Sequence, residues 1–348
     1  MSSPALAAEK TGILRRIVRA LVAFYYPRIE VTGGELIPQT GPVLLVANHP
    51  NSLIDPVLLG IAARRGVRLM AKAPLFDVPL FGGVLRALGM VPAYRGSDDA
   101  KAVAKNLESL TVAARQLVAG VAMGIFPEGK SHDATQLAMV RSGASRLAMQ
   151  AVTLGARGLK VVPVGINYER KERFRTAVWI KVGRPIDAER WLQSHAGDEH
   201  RAMRELTTEI QARLKHCVTH LENPAWETLL ADLEALLPPV AGGHRTFRRL
   251  KPGAALAMLH RRKRAADAIN YFHHFDPARA ETAAARVMAF RSELRAEGLT
   301  GDARMLGRRG FALAGIMLRD AAVMLFGGAY GLLGLLHHAV PYGVVRLV

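Results

Sequence analysis

The chain has 348 residues, half of them hydrophobic, and a mean hydropathy of +0.12; this suffices for one large α/β domain with a helical appendage and suggests contact with lipid. A formal charge of +18 at pH 7 calls for an anionic partner, and the absence of any helix-turn-helix, zinc-finger or aromatic-studded sheet pattern sets nucleic acid behind acidic lipid and phosphorylated substrates. The single cysteine, Cys217, excludes an intramolecular disulfide and directs expectation to the cytoplasmic face of a membrane.

At the amino end, Lys10, Arg15, Arg16 and Arg19 interrupt every early apolar stretch, so no secretory signal peptide is expected. Leu14, Ile17, Val18, Leu21, Phe24 and Tyr25 recur at helical spacing with Arg15, Arg16 and Arg19 off that stripe, which predicts an amphipathic helix. Such a helix either packs on the domain or lies on a membrane surface, and the pattern leaves both open.

From Ile29 to about Pro185, short apolar runs alternate with helical patterns, which predicts an α/β fold with a mostly parallel sheet flanked by helices. Strands are predicted at Val43–Ala47, Val67–Ala71, Ala122–Phe126, Val161–Gly165 and Val178–Val182. Helices are predicted at Pro56–Arg64, Ala100–Ala119 and Gly143–Thr153, with Ser97, Asp98 or Asp99 capping the second. Functional loops in such a sheet gather at the carboxyl ends of its strands.

After Asp187 the pattern is helical through Leu221 and continues in Ala- and Arg-rich helices, broken at Pro238–Pro239 and Pro252–Gly253. The expected organisation is an amphipathic helix over 1–28, an α/β domain over 29–222 and a helical carboxyl-terminal region over 223–348, with the strongest break near residue 240. Between Gly243 and Ala265 stand eight Lys or Arg residues and no acid: a solvated helix face, or an attraction to anionic headgroups. The uncharged segment Ala321–Leu336 favours the second, as a short span, an interfacial hairpin or a buried core helix.

The run Val43 to Pro56 is an apolar strand feeding a polar turn, Asn48-His49-Pro50-Asn51-Ser52-Leu53-Ile54-Asp55, and then a helix. Aspartate can hold one imidazole nitrogen and leave the other to take a proton from a hydroxyl; alone, Asp55 could equally be a helix cap. Downstream come Gly89-Met90-Val91-Pro92-Ala93-Tyr94-Arg95, then Ile125-Phe126-Pro127-Glu128-Gly129-Lys130-Ser131, then Val161-Val162-Pro163-Val164-Gly165. Arginine and lysine suit phosphate, and Gly129 lets its backbone approach a ligand.

These four blocks, in this order and spacing, resemble the glycerophospholipid acyltransferase superfamily over about Tyr25 to Pro185. The resemblance implies that His49 is the base and Asp55 its orienter, that Asn48, Arg95, Glu128 and Gly129 help bind a glycerol-phosphate acceptor, and that the Pro163 strand lines the acyl side. It implies a fatty acyl group passing from acyl-CoA or acyl-carrier protein directly to a hydroxyl of glycerol-3-phosphate or 1-acylglycerol-3-phosphate, with no cofactor besides that co-substrate. Two departures stand out. Five residues separate His49 from Asp55 where the family usually has four, which resembles the branch of fungal glycerol-3-phosphate and dihydroxyacetone-phosphate acyltransferases. Lys130-Ser131 replaces the usual Thr-Arg, so Lys130 takes over the phosphate contact and His132 adds a donor.

Outside these blocks, His216 and His220 flank Cys217 at helical spacing without a second ligand cluster, so no metal is expected. A lipid-binding protein without catalysis is disfavoured by the intact His49 and Asp55, and a non-phosphate lyso-lipid is the alternative acceptor.

Overall fold

The computed structural model describes residues 4–94, 100–132, 134–236 and 252–297. In chain order the elements are α1 (Pro4–Tyr25), β1 (Arg28–Thr32), β2 (Val43–Ala47), α2 (Asp55–Ala63), β3 (Val67–Lys72), α3 (Phe81–Ala87), β4 (Val91–Ala93), α4 (Ala100–Val118), β5 (Ala122–Ile125) and α5 (Gly143–Thr153). There follow β6 (Lys160–Tyr168), β7 (Ala177–Val182), β8 (Ile186–Asp187), α6 (Ala188–Ser194), α7 (Glu199–Cys217), α8 (Glu227–Leu236), α9 (Pro252–Phe275) and α10 (Pro277–Ala296). The compact unit that holds the sheet runs to Ala285, and a second begins at Arg286.

The strands lie side by side in the order β1-β7-β6-β2-β5-β3-β4, with β8 beside β6. β6, β2, β5, β3 and β4 are mutually parallel, while β7 runs antiparallel to β6 and carries β1 parallel to itself. The sheet is therefore mostly parallel with a reversed edge. One working edge collects the carboxyl ends of the parallel strands and the amino ends of β7 and β1.

β2 explains the two-layer build. All five of its residues are buried, as a central parallel strand requires, and successive side chains enter opposite layers. Leu44 and Val46 join α4, α5 and α7 through Leu110, Leu117, Leu147 and Leu206. Val43, Leu45 and Ala47 join α1 and α2 through Val22, Tyr26, Leu58 and Leu59. At roughly 1.5–3 kcal/mol for each large apolar side chain buried, this double-faced strand cannot shift register without exposing both layers.

Three expectations need correction. The Val161–Gly165 strand does not end at the glycine but runs on to Tyr168. Gly165 is needed inside it because a Cβ there would lie 2.2 Å from the Cys217 carbonyl oxygen, where the end of α7 lies against the strand. Pro163 fits this central strand because its carbonyl meets Gly183 N–H in the gap between the β7 pairing, which starts at Val164, and the β8 pairing, which ends at Val161; no N–H is required there.

The amino-terminal helix is rotated relative to its sequence stripe. Val22 and Tyr26 are buried in the core, but Arg15 and Arg19 also face inward: Arg19 Nη2 donates to the Gly60 carbonyl at 2.8 Å, and Arg15 packs on Gly66. Ile13, Ile17, Leu21 and Phe24 form the exposed outer stripe instead.

The basic run, where described, is partly drawn into the fold, although Arg264 stays exposed. Lys263 is buried and bonded to Asp267 at 2.8 Å, Arg262 meets Glu234 at 3.4 Å and His260 meets Glu30 at 3.1 Å. α9 sits on β7 through Ala255 and Leu259 against Ala177 and Trp179. Ser97, Asp98, Asp99, the amino-terminal part of the basic run and Ala321–Leu336 lie outside the described residues. Among those described, no helix is long and apolar enough to cross a membrane.

Replacing Gly165 with alanine pushes a methyl into the α7 backbone, so Gly165→Ala is expected to destabilise the fold by about 3 kcal/mol, the upper part of the range for overpacking. Urea denaturation measures this, and a loss below about 1 kcal/mol would mean that α7 does not seat on β6 as described.

Candidate active site

The loop after β2 carries the expected pair. His49 Nδ1 lies 2.9 Å from Asp55 Oδ2, and Asp55 opens α2 with Pro56 in the first turn, where no N–H is missed. The intervening turn is closed by Asn51: its side-chain oxygen accepts from Leu53 N–H and Ile54 N–H, and its own N–H donates to Asp55 Oδ2 at 2.7 Å.

Asp55 is fully buried. Burial pushes its carboxyl above the ordinary carboxylate value, and the hydrogen bonds from His49, Tyr168 and Asn51 N–H pull in the opposite direction. Tyr168 is the unexpected member. It stands at the end of β6, 113 residues from Asp55, and its hydroxyl donates to Asp55 Oδ1 at 2.6 Å. Burial and the Asp55 charge push the Tyr168 phenol far up, so it stays a hydrogen-bond donor. With Asp55 ionised, the proton of the imidazole sits on Nδ1, and Nε2 has no partner among the described residues. The ring is held flat against Phe126, centroids 4.0 Å apart.

Glu128, after β5, is also buried, but it works on the protein. Oε1 accepts His49 N–H at 2.9 Å, while Oε2 accepts Ala138 N–H at 2.8 Å and bonds His132 Nε2. The carboxylate thus ties the histidine loop to the β5 loop, and a second tie joins Ser52 to Ser131 at 2.6 Å between hydroxyls. Gly129 holds φ +73°, a turn that favours glycine, and leaves Lys130 exposed beside the histidine loop.

Asn48 has a comparable structural duty. Its amide donates to the Ile166 carbonyl at 3.0 Å and its oxygen accepts Ile166 N–H at 2.7 Å, extending the β2–β6 ladder by one side chain. Pro163 is level with Val46 in that ladder, inside the sheet. Lys171 Nζ donates to the Pro50 carbonyl at 2.6 Å and Tyr26 hydroxyl to the Lys171 carbonyl, so the segment before β7 and the end of α1 also brace the loop.

The structure therefore brings His49, Asp55, Glu128 and His132 together and adds Tyr168, Asn51 and Phe126 to them. Arg95 lies outside the described residues. Tyr168 gave no signal along the chain, because no periodicity links a strand end to a carboxylate 113 positions away. His220, elsewhere, accepts Leu137 N–H at 3.1 Å through Nδ1, and Cys217 is buried with its thiol pushed up to about 11.

The chain is similar to an uncharacterized acyltransferase of Schizosaccharomyces pombe, 21% identical over 255 residues, covering 49% of this chain and 38% of the relative. It is similar to glycerol-3-phosphate O-acyltransferase 1 of Saccharomyces cerevisiae, 31% identical over 112 residues, covering 31% of this chain and 14% of the relative. It is also similar to the 1-acyl-sn-glycerol-3-phosphate acyltransferase of Borreliella burgdorferi, 26% identical over 137 residues, covering 39% of this chain and 50% of the relative. In each case the chain spans half or less of the relative's length. The family model described as Acyltransferase matches residues 28–167, which contain the whole His49 loop, Asp55 and Glu128 and stop one residue short of Tyr168. Over that region, less than half of the chain, the chain is similar to the acyltransferase family.

Proposed function

We propose that the protein transfers a fatty acyl group from a thioester, acyl-CoA or acyl-carrier protein, to a hydroxyl of glycerol-3-phosphate or 1-acylglycerol-3-phosphate. The observation that carries this reading is the chain Tyr168–Asp55–His49, which ends in an unengaged imidazole nitrogen at the working edge of the sheet. A glycerol hydroxyl is a poor nucleophile at neutral pH, and histidine is the side chain whose ordinary pKa suits it to remove that proton. His49 Nε2 takes the proton as the oxygen attacks the thioester carbonyl; Asp55 holds the other nitrogen and stabilises the imidazolium. The thiolate then leaves and takes up the proton, so no acyl-enzyme is required. The glycerol-phosphate acceptor is supported by the names of the yeast and Borreliella relatives and by cations in the matching blocks, Lys130 and Arg95, which suit a phosphate. The spacing of five residues between His49 and Asp55 favours the glycerol-3-phosphate branch. The reading places the protein at a membrane, where its product belongs, with the catalytic edge on the cytoplasmic side.

Purified protein is expected to acylate one of these two phosphorylated acceptors faster than a neutral lysolipid. His49→Ala should lower kcat by about 10²- to 10⁴-fold, the usual cost of losing a general base, with donor binding intact. A folded His49→Ala protein retaining more than about a tenth of wild-type turnover, a loss under about 1.4 kcal/mol, would remove His49 from the reaction.

Tyr168→Phe removes a donor that favours ionised Asp55, so the Asp55 pKa rises further and the aspartate protonates at higher pH. The acid limb of the kcat/KM profile is therefore expected to move to higher pH, with a rate loss of about 10- to 150-fold near neutrality, the roughly 1.5–3 kcal/mol worth of one hydrogen bond to a charged group. An unmoved acid limb in a slower enzyme would make Tyr168 a packing residue only.

Arg95→Ala should raise KM for the phosphorylated acceptor by about tenfold or more, a charge-assisted contact being worth roughly 1.5–3 kcal/mol, and leave KM for the acyl donor unchanged. Equal losses toward phosphorylated and unphosphorylated acceptors would refute a phosphate contact.

A further inference from the structure

At the edge of the sheet opposite His49, four arginines gather with no acid among them. Arg15 and Arg19 come from the inner face of α1, Arg65 precedes β3 and Arg68 lies within it. None forms an ion pair with any described residue. Arg65 donates to the carbonyls of Pro38, Gly41 and Gly120, Arg19 to that of Gly60, and Arg68 to the Gln116 side chain at 3.3 Å. These acceptors are all neutral. Arg15 has no hydrogen-bond acceptor among the described residues, although it is half-buried.

Arg15, Arg65 and Arg68 line a cleft of about 540 Å³ whose floor is backbone: Gly66, Gly89 and Gly120. Two of these glycines keep it open. A Cβ on Gly66 would lie 2.5 Å from the Arg15 guanidinium, and one on Gly89 would lie 2.8 Å from Arg68 Nε. The cleft joins a narrower apolar slot along α2, lined by Val18, Val57, Leu69 and Met90, through shared Arg15, Arg65 and Gly66.

Like charges held this close in a partly desolvated place repel one another, and both burial and the neighbouring Arg19 and Arg68 charges press the Arg15 pKa downward. Natural clusters of this kind are relieved by a counter-ion, and guanidinium forks match phosphate oxygens two at a time. Ala122, at the cleft, is level with Val43 in the ladder, and His49 follows Ala47; four strand residues span roughly 13 Å. The cleft is thus separate from the catalytic edge.

We infer that the cleft between α1 and the start of β3 is a second anion site, built for a phosphate group held by Arg15 and Arg68 over the Gly66, Gly89 and Gly120 backbone. Arg65 shapes the floor with three carbonyl bonds and adds its charge. Because an apolar slot opens beside the arginines, the ligand is a phosphate carrying an organic tail: a soluble phosphorylated carrier such as CoA, or an anionic lipid headgroup. The inference stands on the arginines and the cleft and does not rest on the acyl-transfer reading.

The experiment uses the full chain and three probes, inorganic diphosphate, CoA, and vesicles of phosphatidylcholine with or without phosphatidylglycerol. Three variants accompany it. Arg15→Gln with Arg68→Gln removes the two ligating arginines; Arg16→Gln with Arg204→Gln removes the same charge from exposed positions; Arg15→Lys with Arg68→Lys keeps the charge. Titration calorimetry and the rise of Tm with each soluble probe are read together, since a ligand that binds only the folded state raises Tm. The Arg15→Gln, Arg68→Gln protein is expected to lose at least tenfold in affinity for one probe, with the exposed-site pair unchanged and the lysine pair in between. Loss confined to CoA and diphosphate identifies a soluble phosphorylated ligand; loss confined to anionic vesicles identifies a lipid headgroup. Without probe, the glutamine pair should melt no lower than wild type at low salt, because it removes repulsion. Equal affinity of the glutamine pair and the exposed-site pair for all three probes would overturn the site, and would do so whether or not His49→Ala abolishes acyl transfer.

Discussion

The structure turns on one buried carboxylate. Among the described residues no Lys or Arg is bonded to Asp55, so the cost of taking it out of water is met by hydrogen bonds from three different parts of the chain: the His49 ring, the Asn51 backbone and the Tyr168 hydroxyl. Its place in the first turn of α2 adds the favourable end of a helix dipole. These demands fix the loop, since the carboxylate can be satisfied only if β2, the turn, α2 and the end of β6 stand where they do. A site that must hold an imidazole in one tautomer is thereby made rigid by the same bonds that make the burial tolerable.

Glu128 repeats the device one strand over. A second buried acid uses both its oxygens on the chain itself, fastening the His49 backbone to the loop after β5. Together with the Asn48 latch on Ile166, this means that several polar residues of the sequence blocks are engaged with the protein itself. Among the described residues, His49 Nε2 and the exposed Lys130 are left open, one suited to a proton and the other to an anion.

Charge in this protein is distributed by space and not by sequence. The part of the acid-free run that lies on α9 finds Glu30, Glu234 and Asp267 once folded, whereas Arg15 and Arg19 of α1, which look like part of an outward polar face, turn inward and, among the described residues, meet only more arginines and a neutral carbonyl. The first cluster is thus partly paired within the fold through Arg262 and Lys263; the second is left to an external anion. The exposed stripe of Ile13, Ile17, Leu21 and Phe24 is the other consequence of that rotation.

What the sequence by itself determined is local. Five consecutive apolar residues at Val43–Ala47, bounded by turn residues, read as a strand buried on both faces, and the polar turn that follows carries a histidine and an aspartate near enough in sequence to meet. The β-α alternation, the extent of α5 and the position of the motifs at strand ends were readable for the same reason, because periodicity and punctuation act over a few residues. The tertiary structure alone decided which distant groups meet. The parallel register that sets Ala47 beside Val164 brings Ile166 to Asn48 and Tyr168 to Asp55, and the packing of Cys217 on Gly165 explains a glycine inside a buried strand. The rotation of α1 was decided there too: its hydrophobic stripe specifies a helix, but which side is buried depends on the shape and polarity of the sheet and of α2, against which it lies.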